Sequence, residues 1–187
     1  MKDNCCERNF ESMESHLSHR ASKERIKILK KFKGRLEPSI DIGSGGFMPF
    51  VLKTTYACDK SALAKKYLKK LGWKGSFMQV DARRRFPYGD KQFQVAIASE
   101  LIEHFRKKSD VMNLFREIDR ISVNWIVTTP SIYIPDRDHH LLFGSGTIYQ
   151  FIPFKHDYFT VIQKNNTIYI SNNIPKLKKV LNIDNGR

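Results

Sequence analysis

The sequence predicts an α/β protein: a mostly parallel seven-stranded sheet with helices on both faces and a C-terminal antiparallel hairpin. Three observations lead there. Short apolar runs alternate with amphipathic segments of helical period between Ser22 and Pro130. Four of those runs end at or beside an acidic residue. After Pro130 the alternation stops, and two β-rich runs flank Asn165-Asn166, a hairpin signal.

The elements follow in order. "SKERIKILKKFKG" places Ile26, Leu29 and Phe32 on one helical face and stops at Gly34. "SIDIG" is a strand, "MPFVLKT" a short helix, and "TYACD" a second strand closing on Asp59. "SALAKKYLKKLG" is amphipathic, with Leu63, Tyr67, Leu68 and Leu71 opposed by Lys65, Lys66, Lys69 and Lys70. "SFMQVD" ends on Asp81, and "FQVAIASE" is a buried strand ending near Glu100. "SDVMNLFREIDRIS" turns Val111, Leu114, Phe115, Ile118 and Ile121 inward, and "NWIVTTP" is a strand stopped by Pro130. "DYFTVIQ" and "TIYISN" complete the hairpin. No repeat or linker interrupts the chain, so residues 1–187 are expected to form one domain. The polar, serine-rich first twenty residues are expected to be disordered or to fold over a site as a lid.

Composition narrows the partners. The formal net charge of +14 favours a polyanionic partner, RNA or DNA above all, through counterion release and steering. A lysine-rich surface that merely keeps the protein dissolved is the competing explanation. No apolar run is long enough to span a membrane, and the charged N-terminus lacks the apolar segment of a secretory signal. Cys5, Cys6 and Cys58 show no zinc or disulfide spacing, so reduced thiols and a cytoplasmic location are expected.

The chemistry centres on "EPSIDIGSGGFMPF". A glycine-rich turn after a strand lets backbone approach a ligand. Met48 stands where a dinucleotide fingerprint needs its third glycine, and no Gly-Lys-Ser/Thr ending marks a phosphate loop. Asp41, Asp59 and Asp81 fall at the ends of the first three strands, and Ser99-Glu100 at the end of the fourth. In an open parallel sheet those ends share one edge, where ligands bind. A carboxylate at the second position suits a ribose diol, and one at the third suits a base amino group. The set reads as a nucleoside pocket without phosphates.

At these residues the sequence resembles the class I S-adenosylmethionine-dependent methyltransferases, particularly the methyltransferase-11-like group. "DIGSGGF", "YACDKS", "QVDARRRFPYGDKQFQVAIASELIEHF" and "WIVTTPS" keep family order from residue 36 to 131. The resemblance implies a Rossmann-like fold and S-adenosylmethionine as cofactor. It implies that Asp41, Gly43, Ser44 and Gly45 wrap the methionine end, and that Asp59 binds the ribose hydroxyls. Asp81 takes the adenine amino group beside the Ala82 backbone, with Ser99 and Glu100 under the sulfonium. Phe47 departs from the family's last loop glycine, and Gln94 from an aspartate common before the fourth strand.

Other features bear on the acceptor. Glu100, Glu103 and His104 fall on one turn of "ELIEHF", with His139-His140 further on, a set that can hold a divalent ion. A similar arrangement occurs in the 2′-O-methyltransferases of silencing RNAs, yet Glu-His here is also common in metal-free relatives, so no metal is assigned. Arg83-Arg84-Arg85, Arg106-Lys107-Lys108 and Arg137 follow the third, fourth and fifth strands, on the ligand edge. Tyr133, Phe143, Tyr149, Phe151 and Phe154 either stack bases, wall an apolar substrate or form core. Ser131–Gly146 is expected to gate the site, with His139 or His140 as the base for a hydroxyl acceptor. Methyl transfer to RNA or an RNA-associated protein is the leading expectation. A small-molecule acceptor such as a quinone precursor, or a non-catalytic cofactor- or nucleic-acid-binding role, are the alternatives.

Overall fold

Alternation within the strands explains how the sheet is covered. On β4 (Phe93–Ser99), Ala96 and Ala98 join one buried cluster, and Val95 and Ile97 join the other. Successive side chains point to opposite faces, so a run apolar at successive positions, as from Val95 to Ala98, must be covered twice. The structure, a computed structural model, describes residues 13, 17, 20–131 and 139–183. The predicted lid within residues 1–20, Cys5, Cys6, Tyr133 and Arg137 lie outside the described residues or, for the lid, almost entirely so.

In chain order the regular elements are α1 (Arg20–Lys33), β1 (Ser39–Ile42), α2 (Met48–Leu52), β2 (Tyr56–Asp59), α3 (Ala62–Lys70) and β3 (Ser76–Gln79). They continue with β4, α4 (Lys108–Ile121), β5 (Ser122–Pro130), β6 (Thr160–Lys164), β7 (Thr167–Ser171) and α5 (Ile174–Leu181). The seven strands lie in the order β3-β2-β1-β4-β5-β7-β6. The first five are parallel, β7 runs antiparallel to β5, and β6 pairs back on β7 across the Asn165-Asn166 turn. This is the predicted Rossmann-like sheet with its C-terminal hairpin.

One face is covered by α4, whose Val111, Leu114, Phe115, Ile118 and Ile121 pack with Trp125 and Val127 of β5. The other is covered by Ile26, Leu29 and Phe32 of α1, Met48 and Leu52 of α2, and Leu177 and Leu181 of α5. Helix boundaries follow local chemistry. Gly34, with φ +56°, ends α1, and the Ser61 hydroxyl caps α3 by accepting from Leu63 N at 3.3 Å. β3 stops at Gln79, two residues short of the expected Asp81. It is an edge strand with Ser76, Met78 and Gln79 exposed, so little packing extends it. Among the described residues no helix is long and apolar enough to cross a membrane.

Candidate functional site

Because β1 to β5 are parallel, the loops after Ile42, Asp59, Gln79, Ser99 and Pro130 leave the sheet at one edge. The loop after β1 is shaped by three glycines in left-handed backbone: Gly43 (φ +70°), Gly45 (φ +58°) and Gly46 (φ +89°). At Gly43 a Cβ would stand 2.7 Å from Leu101 Cδ1, so a side chain there would displace the wall opposite. The loop is tied to β2, since Gly43 N and Ser44 N both donate to Cys58 O, at 2.9 and 3.2 Å. Phe47, the departure from the family loop, is 7% exposed and packs with the α1–α2 core. The loop therefore turns back into its helix through Gly46, and the phenyl ring fills the space beneath.

Asp59 closes the connection. Its Oδ2 accepts from Gly45 N at 3.0 Å and its Oδ1 from Ser61 N at 2.9 Å. One carboxylate thus fixes the glycine loop and the start of α3. Asp41 lies deeper on β1, 1% exposed, with Oδ2 lacking a hydrogen-bond partner among the described residues. Burial, helped by the neighbouring Asp59 charge, pushes its carboxyl well above the usual range. The same burial raises the Cys58 thiol, which sits inert in the core.

Asp81 stands across the cleft in the fork of Arg83, with Nε 2.9 Å from Oδ1 and Nη2 2.5 Å from Oδ2. Hydrogen bonding from Arg83 holds its carboxyl below the usual range. Glu100, at φ +52°, accepts from Thr128 Oγ1 at 3.2 Å and pairs with the largely buried Arg25 at 3.2 Å. Ser99 Oγ lies 3.1 Å from the same Thr128 hydroxyl.

A cleft joins these groups. Of the residues expected in the site, Gly43, Gly45, Asp59, Asp81, Ala82 and Glu100 line it. Asp41, Ser44 and Ser99 do not; Asp41 and Ser44 lie buried under the loop, and Ser99 is turned to Thr128. Lys60, Ser61, Val80 and Leu101 also line the cleft and were missed. Their signal was available, since each adjoins a predicted strand end or the turn beyond it. Gln94 is exposed near the start of β4, away from this edge.

The set fits a nucleoside. Glycines without side chains admit close approach, two carboxylates can receive hydroxyl or amino protons, and Val80, Leu101 and Phe105 offer an apolar wall. Size alone would point elsewhere. A wider groove of about 1090 Å³ lies by the N-terminal ends of β2 and β3, lined by α1 lysines, Phe50 and Trp73 and by no carboxylate.

The expected gate is partly anchored. Phe143 is 3% exposed and packs edge-on against Phe151 with ring centres 5.1 Å apart. Tyr149 and Phe154 join the same core, so these aromatics are structural. His140 N and Leu141 N both donate to Glu103 O, at 2.8 and 3.1 Å. Residues 132–138 of that loop lie outside the described residues.

Comparison with known proteins agrees with this fold. Residues 40–123 match the sequence model of the family described as Methyltransferase domain. No curated protein matches the chain in sequence. Among solved structures, a SAM-dependent methyltransferase from Thermotoga maritima is 13% identical, with 90% of this chain and 97% of that one covered and a TM-score of 0.62. One from Aquifex aeolicus is 15% identical, with 86% and 96% covered and a TM-score of 0.58. One from Clostridium acetobutylicum is 10% identical, with 88% and 96% covered and a TM-score of 0.61. At such identities the structures speak for the fold, and the family match speaks for the sequence. Together they show a match to a methyltransferase family over residues 40–123, set in a sheet with the fold of SAM-dependent methyltransferase structures.

Proposed function

We propose that the carboxyl-edge cleft holds S-adenosylmethionine and serves an RNA or RNA-associated protein acceptor, in a single cytoplasmic domain. The observation that carries the acceptor class is the clustering of cations on two loops bordering the cleft. Arg84 and Arg85 follow β3, and Arg106, Lys107 and Lys108 follow β4, all exposed. A phosphate backbone is the partner such a rim attracts. The free, buried Cys58 accords with a reducing compartment.

Within the cleft, Gly43, Ser44 and Gly45 offer a close backbone approach to the methionine end, over the buried Asp41. Asp59, held by Gly45 and Ser61, takes the ribose hydroxyls. Asp81 takes the adenine amino group beside Ala82, with Arg83 yielding one carboxylate oxygen. Ser99 and Glu100 lie on the sulfonium side. When bound, the cofactor supplies a methyl group on a sulfonium, already a good electrophile. What remains for the chain is to orient the acceptor, bring it into line and exclude water. Leu101 and Phe105 supply apolar cover beside the cleft.

Single-stranded RNA binding, measured across salt concentrations, tests the acceptor class. Affinity should fall steeply with salt. The Arg84→Gln/Lys107→Gln double variant should flatten the log–log slope by up to about one unit per lost phosphate contact. Salt-insensitive or absent binding would move the assignment to a small apolar acceptor.

A further inference from the structure

The wide groove beside the start of β2 and β3 lies at the opposite end of the strands from the cleft and shares no residue with it. Lys23, Lys27, Lys30 and Lys31 of α1 line it, with Lys53 and Lys74 from the turns after α2 and α3. No carboxylate is among its lining residues. We propose that this groove binds a segment of single-stranded RNA, with phosphates along the lysines and a base on Trp73. The inference concerns a second site and takes from the acceptor reading only that RNA is the partner.

The lysines suit a chain of phosphates. All six are exposed, and none makes an ion pair among the described residues. Lys23, Lys27 and Lys31 recur every fourth residue, a rise of about 6 Å per step. Like charges at that spacing repel one another, and a row of phosphates relieves the repulsion. Glu24, the acid of α1, pairs with Arg20 instead. Lys31 also borders a second groove of about 770 Å³ with Lys176 and Lys179, so the positive strip continues onto α5.

The aromatic part is held ready. Trp73 Nε1 donates to Thr54 O at 2.9 Å, and the indole lies against Gly75, where a Cβ would stand 2.1 Å from Trp73 Cζ2. The half-buried ring is therefore fixed before any base arrives, which lowers the ordering cost of stacking. Phe50, 45% exposed, adds a second ring to the groove. Thr54 is 3% exposed and lines the groove, yet its Oγ1 has no hydrogen-bond partner among the described residues. A buried hydroxyl left unpaired is costly, and a ribose or phosphate oxygen seated there can supply the partner. An anionic bilayer offers the same charge, but a flat surface does not reach a ring tied down inside a groove. A thin, flexible strand does.

The full chain is titrated with an oligouridylate octamer while tryptophan emission and the anisotropy of a labelled octamer are followed. Trp125, the other tryptophan, is buried in the core, so an emission change reports Trp73. Emission should fall on binding, and Trp73→Leu should weaken affinity about 5–150-fold, the range for one stacked base. Lys27→Gln/Lys31→Gln changes two exposed positions and serves if Trp73→Leu fails to fold. It should flatten the log–log salt slope by about 1.4 units, roughly 0.7 per phosphate on a single strand. Arg84→Gln/Lys107→Gln should leave the emission change in place. Octamer binding that leaves both Trp73 emission and the Lys27→Gln/Lys31→Gln slope unchanged would overturn the groove and spare the acceptor reading. An emission change with phosphatidylserine vesicles and none with the octamer would overturn it in favour of a membrane surface.

Discussion

Asp41 and Asp59 sit on neighbouring strands and carry the same functional group, yet their surroundings divide them. Asp59 receives two backbone N–H groups and stays at the cleft; Asp41 is sealed beneath the loop with one oxygen unpaired. Burial raises the Asp41 carboxyl from 3.8, so the folded chain binds more protons than the unfolded one between that value and the raised one. By linkage, Asp41 makes stability fall as pH rises through that window. Melting temperatures of the ligand-free protein between pH 5 and 8 should therefore decline less steeply in Asp41→Asn than in the parent. Parallel profiles would show that Asp41 is not a strained buried acid. The position of each acid was legible, because a short apolar run ending at or beside an acid is a local pattern. Which acid faces the cleft was not, because that depends on how the loop after β1 folds over β2.

At the scale of elements, the loop between β3 and β4 is held by one arginine. Arg120 of α4 donates to Phe86 O at 2.9 Å and Tyr88 O at 2.8 Å, and pairs with Glu117 and Asp90. These bonds seat Phe86 and Tyr88 in the core behind the Asp81–Arg85 segment. Arg120→Ala leaves two carbonyls and a carboxylate short of donors, so urea denaturation should report a loss of about 2–4 kcal/mol. A loss below about 0.5 kcal/mol would make Arg120 an ordinary surface cation. "FREIDRIS" shows the Glu117 pair but not the rest, since Phe86, Tyr88 and Asp90 lie about thirty positions away in sequence. α5 was also missed. Its eight residues carry Ile174, Leu177 and Leu181 at helical spacing, but the segment is short and Pro175 reads as a turn until the Asn173 cap is seen. The alternating strands and long amphipathic helices, by contrast, were plain from periodicity alone.

Across the whole molecule, parallel connection gathers residues that are far apart in sequence. Each crossover returns the chain to the same edge, so acids ending successive strands meet without any motif joining them. That convergence was legible once the strands were ordered. The pairings made after convergence were not. Arg25 reaches Glu100, Arg83 forks Asp81, and His139 meets His104 only through tertiary packing. The central claim is that this edge binds S-adenosylmethionine through Asp59. Isothermal titration with S-adenosylhomocysteine, with NADH as control, tests it most directly. The parent should bind S-adenosylhomocysteine and ignore NADH, and Asp59→Ala should lose about 1.5–3 kcal/mol of that binding, the scale of hydrogen bonds to a charged group. NADH binding without S-adenosylhomocysteine binding, or equal affinity in a folded Asp59→Ala variant, would contradict it.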